Sequence, residues 1–152
     1  MLKIYLDNCC YNRPFDDLTQ EKINLEASAI ETIFRKHIDK EVKIYKSRAI
    51  DYEITKISDG DKKRKVEDLY DGLELENISY TYNLDTRVEE LEKANIHFMD
   101  AYHVAYAESK ELDYFITVDK QLINASKKLN LKIKILNPIE FIMEVIWIGS
   151  YS

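Results

Sequence analysis

Four acidic side chains carry the chemistry that this sequence allows. Asp7 ends the apolar run LKIYL, and Asp119 ends YFITVD. An anion at the end of an apolar run costs free energy unless it is paired or metal-bound. Asp100 opens the segment MDAYHVAYAESKE, in line with Val104 and Ala107 four and seven positions on, a face that packs inward. The fourth acid is a choice between Asp51 and Glu53. The apolar stripe of their helix is Ile50, Ile54 and Ile57, and Glu53 falls on it. Asp51 falls with Ser47, Thr55 and Ser58 on a polar face. Glu53 is therefore the acid expected to point inward. Glu26 passes the same test, between Ile23 and Ile30. It lies deeper in its helix and is read as a buried structural carboxylate.

Clustered carboxylates repel one another, and a divalent cation removes that repulsion. Oxygen ligands suit Mg2+ or Mn2+. Such an ion polarises a phosphoryl oxygen and lowers the pKa of a bound water, which is the chemistry of phosphodiester cleavage.

The elements that must position these acids follow from periodicity. Residues 2–6 read as a strand, and DNCCYNRPFDD reads as a loop. Ile23, Ala27, Ile30 and Phe34 mark a helix over about 18–38. VKIYK (42–46) is a second strand, and Ser47 caps a helix through about Ser58. Gly60 breaks it before a charged helix over 61–73. ENISYTY (76–82) is a third strand, followed by helices from Asp85 or Thr86 to Ala94 and over 99–111. YFITVD (114–119) is a fourth strand, KQLINASKKLN a helix, and IKIL a fifth strand. Asn137-Pro138 is a turn before a last helix within Ile139–Ile148. Strands alternating with helices imply crossover connections, hence an α/β fold: a three-layer α/β/α sandwich around a mostly parallel five-stranded sheet. Ligands of such a sheet bind beyond the carboxyl ends of its strands. All four acids belong to that edge.

Composition narrows the function. The 152 residues, 45% hydrophobic and 33% charged, suit a single folded domain over 1–152. A net charge of −6 argues against bulk electrostatic binding of nucleic acid. It permits an enzyme that meets phosphate through a metal and a few local cations. The cluster Lys62, Lys63, Arg64 and Lys65 reads as a solvated helix face. No secretory leader is visible, and the apolar C-terminal stretch is too short to span a bilayer, so a cytoplasmic protein without a membrane partner is expected. Cys9 and Cys10, being adjacent, read as small thiols rather than a disulfide or zinc site.

Taken together, KIYLDN, SRAIDYEI, MDAYHVAYA and TVD resemble the PIN domain, a metal-dependent ribonuclease fold that includes many toxins of toxin–antitoxin pairs. The resemblance covers about residues 1–142. It implies an Mg2+- or Mn2+-dependent endoribonuclease with an RNA substrate, a homodimer and an antitoxin protein as partner. It also implies Asp7, Glu53, Asp100 and Asp119 as the acidic, metal-binding cluster, with Asn8 and Thr117 as supporting polar groups. The loop YNRPFDD is richer in Asp than that family leads one to expect.

Arg13 and Arg48 flank the same edge as candidate phosphate contacts. His103, one turn after Asp100, reads as a packed or solvated histidine. Eleven tyrosines offer faces for stacking unpaired bases, although Tyr102 and Tyr106, four apart on one helix, read as packing. Phe141, Val145, Ile146 and Trp147 are expected to cover the sheet or a subunit interface. A phosphoaspartate hydrolase would want an Asp where Cys9 stands, and a receiver domain an acid where Asn8 stands. The alternative from another class is a catalytically silent PIN-like domain that binds RNA or protein.

Overall fold

The sheet is built outward from its most apolar strand. In β1 (Leu2–Leu6), Ile4, Tyr5 and Leu6 are completely buried, which requires cover on both faces. The computed structural model, which describes residues 1–147, places β1 at the centre of a five-stranded sheet of order β3-β2-β1-β4-β5. β2 (Val42–Lys46) and β4 (Tyr114–Ile116) flank it, with β3 (Glu76–Asn77) and β5 (Lys134–Leu136) at the edges. Every pairing is parallel: Ile4 lies opposite Ile44 on one side and Tyr114 on the other. The expected α/β/α sandwich is thus present, with the sheet wholly rather than mostly parallel.

Eight α-helices are described. Asn8–Asn12 (α1), Glu21–Ile38 (α2), Arg48–Thr55 (α3) and Gly60–Gly72 (α4) come from the first half. Asn83–Lys93 (α5), Phe98–Ser109 (α6), Lys120–Lys127 (α7) and Pro138–Glu140 (α8) come from the second. Tyr5 and Phe115 stack at 5.3 Å between neighbouring strands, and Tyr11 packs on Phe34 and Tyr70.

Several boundaries differ from the sequence expectations for local reasons. The segment after Asp7 is helical rather than a loop: Asp7 caps α1, and Arg13–Phe15 adds a 3-10 turn around Pro14. α2 accordingly starts at Glu21. Ser47 does cap α3, but that helix ends at Thr55, before Ser58. Gly60 lies inside α4, because Asp59 accepts from the backbone N–H of Asp61 and Lys62 and starts the helix there. The third strand keeps two residues, since only Tyr45 and Lys46 of β2 pair with it. α5 begins at Asn83. The last helix becomes α8 followed by π-helical Phe141–Trp147, and Ile148 lies outside the described residues. Phe141 packs edge-on against Tyr114 and is fully buried, so it does cover the sheet.

Four helices end on a residue in the left-handed region, none of them glycine: Lys40, Glu74, Asn95 and Glu111. A side chain at that φ costs about 1–2 kcal/mol. Replacing Glu111 with Gly is therefore expected to stabilise the fold by roughly 0.5–1 kcal/mol, net of the backbone entropy of glycine. Thermal unfolding checks it. The same change at Asn95, whose residue type tolerates this conformation, should gain less; equal gains would contradict the explanation.

Candidate metal centre at the carboxyl edge of the sheet

Asp7 is held by three elements at once. It follows β1 directly and caps α1, with Oδ1 accepting from the backbone N–H of Asn8 at 2.8 Å. Thr117, the first residue after β4, donates its hydroxyl to Asp7 Oδ2 at 2.7 Å. The Cys9 thiol lies 3.6 Å from that oxygen and 3.5 Å from the Thr117 hydroxyl. Only 6% of Asp7 is exposed, so its carboxylate is both desolvated and aimed.

Thr117 also accepts from the backbone N–H of Asp119 at 3.1 Å. Asp119 in turn caps α7, and Oδ1 accepts from the N–H groups of Gln121 and Leu122. One hydroxyl therefore sets the relative position of two acids that follow neighbouring central strands, Asp7 directly after β1 and Asp119 three residues beyond β4.

The second half of the site comes from α3 and α6. Ser47, wholly buried, starts α3 by accepting from the Ala49 N–H. The Tyr5 hydroxyl bridges Ser47 Oγ at 2.7 Å and His103 Nδ1 at 2.6 Å. His103 Nε2 hydrogen-bonds Glu53 Oε1 and lies 3.9 Å from Asp7 Oδ1. A continuous chain, Ser47–Tyr5–His103–Glu53, thus runs from beneath the sheet edge to its rim. Asp7, Glu53 and His103 offer one ligand atom each within 4.8 Å of one another.

Asp100, in the first turn of α6, is partly buried beside this group. Burial, and then the charges of Asp7 and Asp119, push its carboxyl up to about 6 against the pull of His103. Asp100 and Asp119 line a cleft of about 350 Å3 with His97 and Gln121. His103 is pulled both ways. Burial opposes its protonation, but the hydrogen bond to Glu53 and the charges of Asp7, Glu53 and Asp100 outweigh that and raise its pKa. Metal-free, the edge holds more negative charge than it neutralises.

That imbalance has a testable consequence. A carboxyl raised in the fold contributes stability that is present below the ordinary Asp range near pH 4 and lost as pH rises through about 6. Asp100→Asn is expected to stabilise the metal-free protein at pH 8 by about 1 kcal/mol, a value discounted for its partial exposure. The gain should vanish at pH 4. Melting curves at the two pH values check this; a gain independent of pH would mean that charge is not its cause.

Of the acids named from sequence, Glu53 joins the close group and Asp51 does not. Asp51 instead meets Lys46 Nζ at 3.2 Å and the Tyr70 hydroxyl at 2.6 Å. Asn8 accepts from the Asn12 side chain. Arg13 is engaged by acids, paired with Asp16 at 3.0 Å and Glu26 at 3.4 Å. Glu26, 1% exposed, is buried as expected, but it also accepts from Asn137, the residue directly after β5, so its depth in α2 does not carry it away from the carboxyl edge. Arg48 is exposed and forms no salt bridge among the described residues; it lies over the Tyr80 ring at 4.9 Å. Lys62 pairs with Asp16 and Arg64 with Asp61, so two members of the basic cluster are tied to acids. The residue that sequence reasoning undervalued is His103. It is packed, but its ring edge faces the carboxylates. Its spacing of three from Asp100 on one helix was the available signal.

The donor set fits a hard or borderline divalent cation. Carboxylate oxygens suit Mg2+ and Mn2+, and His103, with both ring nitrogens hydrogen-bonded to Tyr5 and Glu53, stands beside them as a positioning group.

No known family profile matches this sequence, and no curated protein matches it. A solved structure described as FitAB bound to an IR36 DNA fragment is similar in fold, with a TM-score of 0.56 at 17% identity. The match covers 90% of this chain and 95% of that chain. It supports a PIN-like fold for the sheet and helices described above. Among the described residues, no helix is long and apolar enough to cross a membrane.

Proposed function

We propose that this chain is a metal-dependent endoribonuclease acting through the acids of the carboxyl edge. The observation that carries the reading is the convergence of Asp7, Glu53 and His103 within 4.8 Å, with Asp100 and Asp119 beside them. The sequence resemblance to PIN domains and the PIN-like fold point the same way. A bound Mg2+ or Mn2+ would neutralise the acids and supply Lewis acidity at a phosphoryl oxygen.

The protein's own groups have distinct tasks in this reading. Asp7, Asp100 and Asp119 hold the metal. Thr117 keeps Asp7 and Asp119 in register through its hydroxyl. Glu53 ligates the metal or orients the attacking water, and His103 fixes the Glu53 carboxylate from behind. Asp100, raised toward neutrality without metal, must lose its proton for the ion to bind. Metal affinity should therefore weaken as pH falls below about 6.

The resemblance also brings a homodimer and an antitoxin partner into the proposal. Size-exclusion chromatography tests the first, and co-purification with the product of a neighbouring reading frame tests the second. The central experiment is incubation with unstructured single-stranded RNA in Mn2+ or in EDTA. Cleavage in Mn2+ alone supports the reading. Cleavage that persists in EDTA refutes it, and no cleavage of any RNA favours a binding module.

A further inference from the structure

Beside the acids lies a second concavity, of about 530 Å3, whose walls are largely aromatic. Tyr52 and Phe98 line it 55% and 50% exposed, with Tyr80 at 40%. These are large rings left open to water. The groove is made by the same helices that build the metal centre. On α3, Tyr52 immediately precedes Glu53. On α6, Phe98 lies two residues before Asp100, and Tyr102 immediately precedes His103.

The rings are held in place rather than loose. Phe98 meets Tyr102 edge-on, with centroids 5.1 Å apart and planes at 80°. The Tyr102 hydroxyl donates to Asp85 Oδ1 at 2.6 Å, and the Tyr80 hydroxyl donates to the other oxygen of Asp85. Hydrogen bonds to both phenols, with Arg48 nearby, hold the Asp85 carboxyl below its ordinary range. Its anionic charge is thereby partly answered within the protein.

One cation, Arg48, lines the groove, and a second, Lys56, stands just outside its lining. Arg48 lies over Tyr80, and Lys56 Nζ lies 5.1 Å from the centre of the Tyr52 ring. In a chain with 28 acids against 22 basic residues, both lack a salt bridge among the described residues. Asp85, whose charge Arg48 feels, is already bound by the two phenols, so the exposed Arg48 guanidinium is open to an anion brought from outside. Open aromatic faces flanked by unpaired cations beside a phosphodiester-cutting edge match an unpaired nucleotide. The rings stack the base, and the cations meet its phosphate.

We infer that the groove lined by Tyr52, Tyr80, Phe98 and Arg48 is a nucleobase-stacking subsite, seating one unpaired base of an RNA strand next to the metal centre. The inference rests on the proposed nuclease reading for its substrate, but its test is binding, not cleavage. The probe is an unstructured RNA of about ten nucleotides carrying 2-aminopurine, whose fluorescence is quenched on stacking. It is added to the full chain in EDTA, so that no cleavage occurs.

Quenching with the parent protein is expected, with its loss and a roughly tenfold weaker affinity in Tyr52→Ala and in Phe98→Ala. Arg48→Ala should weaken binding and flatten its salt dependence while preserving the quench. Melting temperature and native mass, measured on each variant, verify folding and oligomeric state. Unchanged RNA binding in both aromatic variants overturns the inference, as does a parent protein that binds no RNA. A dimer in the parent that becomes a monomer in the variants also overturns it, assigning the groove to a second copy of the chain. RNA binding with these losses, but without any cleavage in Mn2+, would leave the subsite standing and remove the nuclease reading alone.

Discussion

Asp7→Asn is expected to lower Mn2+-dependent RNA cleavage by about 100-fold or more, equivalent to about 2.7 kcal/mol of transition-state stabilisation. Asparagine keeps the shape of aspartate and the carbonyl oxygen that accepts from the Asn8 N–H, so α1 keeps its cap. It removes the charge that a metal needs. It also replaces the oxygen that accepts from Thr117 with an amide donor, which the Thr117 hydroxyl can accept by rotating. The metal-free variant should therefore melt no lower than the parent, since a buried anion beside Asp100 has gone. Asp119→Asn should lose activity similarly. Cleavage rates at saturating Mn2+, set beside melting temperatures, separate lost chemistry from lost fold. Cleavage within a few-fold of the parent in both variants would place the catalytic centre elsewhere.

The second large effect concerns stability. His103→Ala is expected to cost about 3 kcal/mol, lowering the melting temperature by roughly 6–12 °C. The ring is completely buried, so its removal leaves a void. It strips the Tyr5 hydroxyl of one of its two partners. It also removes a basic group that faces Glu53, Asp7 and Asp100 from within the core. Because the pKa of this imidazole is raised in the fold, its charge contributes stability that is fully present below the ordinary histidine value. That contribution is lost as pH rises through the raised value. The gap between parent and variant should therefore narrow on the alkaline side. Tyr5→Phe, which keeps the ring volume and deletes only the hydroxyl, should cost about 1–2 kcal/mol. A His103→Ala protein melting within two degrees or so of the parent would show that the buried chain of hydrogen bonds is incidental.

The parts of the site legible in the sequence were those set by periodicity and strand ends. Asp7 and Asp119 end apolar runs, and a parallel sheet brings such ends to one edge. Helical spacing separated Glu53 from Asp51, and the structure places them as that spacing implies, one at His103 and the other at Lys46 and Tyr70. What periodicity could not supply was pairing between distant residues. Arg13 looked available until Glu26 and Asp16 closed on it. His103 looked like packing because its partners, Tyr5 and Glu53, lie 98 and 50 residues away. The short helix after Asp7 was hidden for a different reason. Five residues carry too little periodic signal, and its start depends on the same carboxylate that marks the site.

The hydrogen bond from Thr117 to Asp7 joins residues 110 positions apart in the chain. During synthesis, Asp7 is made early and then waits for its clamp. Until Thr117 and Asp119 emerge and β4 seats against β1, the acids have no common edge to converge on. If the chain cuts RNA as proposed, a half-made polypeptide should therefore be unable to cut the message from which it is being read. In the proposed reading, cutting capacity arrives abruptly and late, with the order of translation acting as its own safety catch.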